Sequence, residues 1–329
     1  MSSSAHIESP PAISVLMPVH NGARFVDAAI RSVLEQAFAG FEFLIIDDGS
    51  TDRTAGILER WRRRDSRIRI LRQERTGIVG ALNAGLRLAR GRYIARMDAD
   101  DVCLPTRFAR QIRYLDEHPE VVALGTWTWH VDPAGRRLKL ACDYVRSEDI
   151  EAGLLRGEGA ALPHPTLMVR TEAMRRIDGY RREYDLAEDV DLYFRLLECG
   201  RLANLPEPLL YYRLHYHSTN HTRADRQWEL VGRMLAEQHA RRGLPPPPPA
   251  PRPPLSTHAQ CHRRWARQAV AGSSWLLAAI HGAHAFARGP FDSRNYYLLR
   301  FIASQWRRAV RERLRRRIPR LSSRACKSG

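Results

Sequence analysis

Asp98, Asp100 and Asp101 place three carboxylates within four residues, directly after the apolar stretch Tyr93-Ile94-Ala95-Arg96-Met97. Like charges this close repel unless a cation neutralises them. The chemistry such spacing offers is a divalent metal site with hard oxygen ligands. Two more acidic groups could join it: Asp47 and Asp48 after Phe43-Leu44-Ile45-Ile46, and Glu188, Asp189 and Asp191 opening a helical stretch. Taken singly, each has a plainer reading as an acidic turn, a helix cap or first-turn charges favoured by the helix dipole. All three fall at places that a parallel-sheet enzyme could bring together.

The elements that must position these groups follow from hydrophobic patterning. Ile13 to Met17 is a continuous apolar run ending at Pro18, the pattern of a strand buried on both faces. A helix over Arg24 to Gln36 comes next, then a strand over Phe43 to Ile46, a helix capped by Thr51 and Asp52 and running through Arg62, and a strand over Ile68 to Leu71. A helix over Ile78 to Ala89 leads into the strand Tyr93 to Met97. The regular alternation, with connections too long for hairpins, predicts an α/β fold: a mostly parallel sheet with right-handed crossovers and helices on both faces. Ligands of such open sheets sit beyond the carboxyl ends of the strands, where the acidic groups fall. No Gly-x-Gly-x-x-Gly follows the first strand and no Walker-type loop occurs, which argues against dinucleotide and P-loop enzymes.

Beyond Pro105 the pattern becomes mixed α+β. A helix over Arg107 to Glu117 precedes an apolar, Trp-rich stretch from Val121 to Val131 and a helix near Glu148 to Leu155. His164 to Val169 reads as a strand entering at a proline corner, Glu188 to Glu198 as a helix, and Leu209 to Leu214 as the last strand.

Residues 1–11 are Ser/Pro-rich, with neither a basic start nor an apolar core, and are expected to be an unstructured N-terminus rather than a signal peptide. Residues 12–243 form the expected main domain, 244–254 a proline-rich spacer and 255–329 a basic helical tail. The tail holds 16 Arg and Lys against Asp292 and Glu312, and so carries +14 of the net +17. The stretch from Ala266 to Ala287 reads as a helix, but its apolar middle, Trp275 to Ile280, is well short of the roughly 20 residues of a membrane span. From Arg307 to Arg320, arginines surround Ala309, Val310, Leu314 and Ile318, a stripe that suits an interfacial helix on an anionic membrane surface. Binding of nucleic acid is disfavoured because the body lacks a basic stripe. Five scattered cysteines suggest reduced thiols and a cytoplasmic chain, peripheral on the cytosolic face of the membrane if the tail docks there.

The segments Val15-Leu16-Met17-Pro18-Val19-His20-Asn21-Gly22, Ile45 to Asp52, Met97 to Asp101, Ala187 to Leu192 and Tyr212-Arg213-Leu214-His215 occur in this order. Together they resemble family 2 glycosyltransferases of the GT-A fold, which are inverting and nucleotide-sugar dependent, over roughly residues 12–220 and not over the tail. The resemblance implies that Pro18, His20 and Asp48 hold the nucleotide base, with Asp48 accepting a uracil N–H, and that Asn83 also contacts the nucleotide. His20 stands where the family more usually has Tyr. Asp98 would lie near the ribose and Asp100 would bind Mn2+ or Mg2+, with His215 approaching the metal or diphosphate and Arg213 neutralising phosphate. Asp189 is the implied general base for an acceptor hydroxyl, with Glu188 and Asp191 as rivals; Asp191 lies about 200° round the helix from Asp189. His164 is a candidate for the acceptor side. A nucleotidyltransferase of related fold is the alternative enzyme, but it would normally show a Gly-rich basic loop where Pro18 to Gly22 offers one glycine. The implied partners are a UDP-sugar donor and a glycan or lipid-linked acceptor.

Overall fold

The computed structural model describes residues 10–141, 144–216, 224–247 and 257–317. It divides into two compact units, one of Met1–Gly135 with Leu140–Leu255, the other of Arg136–Lys139 with Ser256–Gly329. The short strand β7 (Arg137–Ala141) spans the change from one to the other.

The first unit is built on the expected alternation. Strands β1 (Ile13–Val19), β2 (Phe41–Asp48), β3 (Ile68–Gln73) and β4 (Tyr93–Arg96) lie parallel in the order β3-β2-β1-β4. Helices α1 (Val26–Leu34), α2 (Thr54–Arg62) and α3 (Gly77–Leu88) make the crossovers. Because side chains alternate along a strand, each apolar run feeds two cores. Val15, Met17, Phe43 and Ile45 pack with Val26, Ile30 and Leu58 on one face, while Leu16, Leu44 and Ile46 pack with Val79 and Leu82 on the other. Registers Val19↔Asp47 and Leu16↔Arg96 bring the carboxyl ends of β1, β2 and β4 to one edge.

The second half departs from a parallel sheet. After β5 (Val102–Cys103) and α4 (Arg107–Glu117), β6 (Val121–Val131) and β8 (Met168–Arg170) run antiparallel to each other, and β8 is antiparallel to β4. Strand β9 (Arg201–Arg213) lies parallel to β6 and antiparallel to β5. The expected strand at His164–Val169 opens instead as a 3-10 turn, His164–Thr166, because Pro165 cannot donate to a ladder. The last strand starts earlier than expected, since Pro206 and Pro208 sit where the β6 register shifts and so interrupt the ladder without ending it. Neither Thr51 nor Asp52 is the cap of α2: the N-cap is Arg53, and Asp52, one residue before it, accepts from Thr54 N at 2.9 Å. Helices α5 (Ser147–Leu155), α6 (Thr171–Arg176), α7 (Glu188–Leu197) and α8 (Ala224–Arg241) complete the unit.

The second unit contains α9 (His258–Ala271), α10 (Trp275–Ala287) and α11 (Ser293–Arg317). A capping box starts α9, with Thr257 Oγ1 accepting from Gln260 N and Gln260 Oε1 from Thr257 N. The single helix expected over Ala266 to Ala287 is two, broken at Gly272 and at Ser273, whose φ of +58° no helix accommodates. Trp265 of α9 is wholly buried. Among the described residues no helix is long and apolar enough to cross a membrane. Residues 1–9, His217 and Ser218, the prolines from Pro248 to Pro254, and Ile318 to Arg320 lie outside the described residues.

Candidate active site

A cleft of about 710 Å³ opens at the edge where β1, β2 and β4 end. Each wall is supplied by the end of an element. Pro18 and His20 come from the end of β1, Asp48 from β2, Asp98 and Asp100 from the turn after β4, Glu188 and Asp189 from the start of α7, and Arg213 and His215 from the end of β9 and just beyond.

His20 is oriented by its Nδ1, 2.9 Å from the Asp48 carbonyl oxygen. The Asp48 carboxylate has a structural task as well: Oδ1 accepts from Thr76 N and Gln73 Nε2, each at 2.8 Å, and Oδ2 from Gly77 N at 2.9 Å. It thereby satisfies the unpaired N–H groups that open α3, and Oδ2 keeps a lone pair for a ligand. Asn83 belongs elsewhere. Its amide donates to Tyr180 O at 2.7 Å and accepts from Tyr180 N at 2.9 Å, so it ties α3 to the loop before α7 and does not line the cleft.

Asp98, Asp100 and Asp101 present carboxylate oxygens that all lie within 4.8 Å of one another. Asp101 is almost completely buried; Oδ1 accepts from Arg213 N at 2.8 Å, while Oδ2 has no hydrogen-bond partner among the described residues. Burial, then the charges of Asp100 and Asp98, push its carboxyl well above the usual range. Burial also raises Asp98, against the opposing pull of its ion pair with Arg96. His215 Nε2 stands 2.7 Å from Asp100 Oδ2, and its ring packs 5.2 Å from that of Phe25. Arg213 donates Nε to the Asp100 carbonyl at 2.7 Å and Nη1 to the Pro133 carbonyl at 3.2 Å, which fixes the turn while its guanidinium faces the cleft.

At the start of α7 the three acids separate. Asp191 is buried outside the cleft and paired with both Arg181 and Arg195, which removes it as a rival base. Glu188 and Asp189 both line the cleft. Burial and the neighbouring Asp189 push Glu188 to about 8, and burial also raises Asp189. Such a pair shares its protons rather than titrating singly. His164 is buried with Nε2 2.9 Å from Tyr180 Oη, and burial holds its pKa well below the ordinary value.

Patterning alone passed over Arg96, a guanidinium in the cleft with only 4% of its surface exposed. The signal was present: a lone charge inside an apolar strand run is costly unless it is paired or functional.

The sequence model for glycosyl transferase family 2 matches residues 14–177. EpsE of Bacillus subtilis (strain 168), named as a candidate glycosyltransferase, is 33% identical over 242 residues, 72% of this chain and 84% of its own length. The O-antigen biosynthesis glycosyltransferase WbnJ of Escherichia coli is 34% identical over 211 residues, 63% of this chain and 81% of its own. Among solved structures, the mannosyltransferase PcManGT from Pyrobaculum calidifontis in complex with GDP-Man and Mn2+ aligns with a TM-score of 0.54 at 22% identity, covering 90% of this chain and 81% of that one. S. aureus TarS 1–349 in complex with UDP-GlcNAc aligns with a TM-score of 0.57 at 16% identity, covering 90% and 92%. Fold and cleft thus define a sugar-transferring enzyme of the GT-A type. The chain belongs to glycosyl transferase family 2.

The raised Glu188 has a consequence for stability. A carboxyl with a pKa of 4.5 when exposed and about 8 when folded makes the folded state lose stability as pH rises through that window. Glu188→Gln removes this loss, so its melting temperature relative to wild type rises between pH 5 and pH 8.5. Thermal unfolding of the metal-free proteins across that range checks this; a pH-independent difference would contradict the buried, proton-holding state of Glu188.

Proposed function

We propose that this glycosyltransferase is inverting and moves a sugar from a UDP-sugar to a hydroxyl of a glycan or lipid-linked acceptor. The observation that carries the reading is that one cleft gathers Pro18, His20 and Asp48, the acidic cluster after β4, and the Glu188/Asp189 pair. An aromatic base can stack on the His20 imidazole, and Asp48 Oδ2 can accept a base N–H.

The acidic cluster fits a divalent cation. Three carboxylates share too little positive charge, and the buried Asp101 Oδ2 has no hydrogen-bond partner among the described residues. Asp100 and His215 would hold Mn2+ or Mg2+, with Asp98 beside the ribose. The cation would supply positive charge to the departing nucleoside diphosphate. Arg213, anchored by two carbonyls, adds charge toward the phosphates. In the displacement, the acceptor oxygen forms a bond to the anomeric carbon as the bond from that carbon to the diphosphate oxygen breaks on the opposite face. The hydroxyl proton passes to the Asp189 carboxylate.

The same reading extends to the second unit. On α11 the exposed Tyr296, Tyr297, Phe301 and Trp306 lie among Arg300, Arg307, Arg308, Arg311 and Arg313. Aromatic rings with arginines suit the interface of an anionic leaflet, and a peripheral position on the cytosolic face would bring the cleft to lipid-linked acceptors.

Two outcomes are expected. Asp189→Asn lowers nucleoside diphosphate release from the preferred donor, in a panel of UDP-, dTDP- and GDP-sugars with acceptor and Mn2+, by about 10³-fold or more, while donor affinity stays within about threefold. Retained turnover would move the base to Glu188. Replacing Arg307, Arg308, Arg311 and Arg313 together by Gln reduces co-sedimentation with phosphatidylglycerol vesicles by about tenfold or more; unchanged co-sedimentation would remove the membrane from the account.

A further inference from the structure

Arg107, the first residue of α4, is completely buried, and among the described residues no carboxylate pairs with it. Its nitrogens meet neutral acceptors instead: Nη2 donates to the Arg96 carbonyl at 2.8 Å, Nη1 to Cys103 Sγ at 3.1 Å and Nε to Gln111 Oε1 at 3.0 Å. Burial pushes the Cys103 thiol up, so no thiolate balances the charge. A cation buried against neutral groups alone is costly. If packing were the only demand at this position, an apolar side chain would meet it at less cost.

What the guanidinium touches accounts for its charge. Arg96 ends β4 and Cys103 ends β5, and between them lie Asp98, Asp100 and Asp101. One side chain therefore grips both flanks of the acidic turn. Beyond the last β4–β8 pair, Ala95↔Met168, Arg107 supplies the donor to the Arg96 carbonyl. Gln111 anchors the clamp in turn, since its Nε2 donates to the Leu124 and Thr166 carbonyls at 2.9 and 2.8 Å and so fixes it to β6 and to the turn before β8. A planar fork with donors on three nitrogens spans these acceptors at once, which no apolar side chain and no lysine does.

Resting on the cation reading of the acidic cluster, we infer that Arg107 is a positioning residue for that site. By tying the Arg96 carbonyl to Cys103 Sγ, it holds the turn at the width at which the Asp98, Asp100 and Asp101 carboxylates face one cation. Arg107 does not line the cleft, and it acts only through the two flanks it holds.

Mn2+ affinity in the presence of UDP, followed by electron paramagnetic resonance of free Mn2+, tests this for the full chain as wild type, Arg107→Met, Arg107→Lys and Cys103→Val, beside thermal unfolding of the metal-free proteins. Arg107→Met removes every donor, and Arg107→Lys keeps the charge on one nitrogen that cannot reach both flanks; each is expected to weaken Mn2+ binding by about tenfold or more. Cys103→Val removes one end of the clamp, weakens binding by about threefold or more, and carries the test if neither Arg107 variant folds. A lowered melting temperature with Mn2+ affinity within about threefold of wild type in either Arg107 variant would reduce the residue to a structural one and overturn the assignment. Unchanged affinity in Cys103→Val would overturn it too, as would a gain in Arg107→Met, the result of removing a charge alone. A wild type that binds UDP without taking up Mn2+ is a separate result, and it would contradict the cation reading itself.

Discussion

Mutual repulsion among Asp98, Asp100 and Asp101 is the constraint on which the rest of the site depends. Carboxylate oxygens within 4.8 Å of one another are unfavourable in water and more so at a strand end where Asp101 is almost fully buried. The chain relieves the repulsion only partly. Arg96 neutralises Asp98, His215 faces Asp100, and the Arg213 amide holds one oxygen of Asp101. The other oxygen of Asp101 has no hydrogen-bond partner among the described residues. This shortage of positive charge is what the proposed cation would relieve.

The mixed half of the sheet has a clear purpose in this light. A purely parallel α/β sheet would present loops alone at its carboxyl edge. Inserting β8 antiparallel beside β4 and running β9 parallel to β6 brings the end of β9, with Arg213 and then His215, against the turn after β4. The start of α7 closes the same cleft with Glu188 and Asp189, while Asp191 turns away to anchor Arg181 and Arg195. Three acidic residues in one helical turn thus divide into two roles, set by which side of the helix meets the cleft.

Much of this was legible from residue patterns because the first four strands are buried on both faces and therefore read as unbroken apolar runs bounded by helices. The acidic endings of β2, β4 and the loop into α7 were equally plain. Legibility failed where proline carries two meanings. Pro165 turned an expected strand into a 3-10 turn, and Pro206 and Pro208 concealed the first half of β9. It failed again at Asn83, since no local signal shows that an amide on a helix surface meets the Tyr180 backbone from a distant loop. Arg96 was visible as an anomaly in β4, but its partner and its unsatisfied Nε–H exist only in the folded chain.

The central claim is that the acidic cluster holds a divalent cation together with the nucleoside diphosphate. Direct titration of Mn2+ into the wild type and into Asp100→Asn, with and without UDP and followed by electron paramagnetic resonance of free Mn2+, tests it most closely. One tightly held Mn2+ per chain is expected, requiring UDP and lost in Asp100→Asn. Equal Mn2+ uptake by both proteins, or UDP binding indifferent to Mn2+, would contradict it.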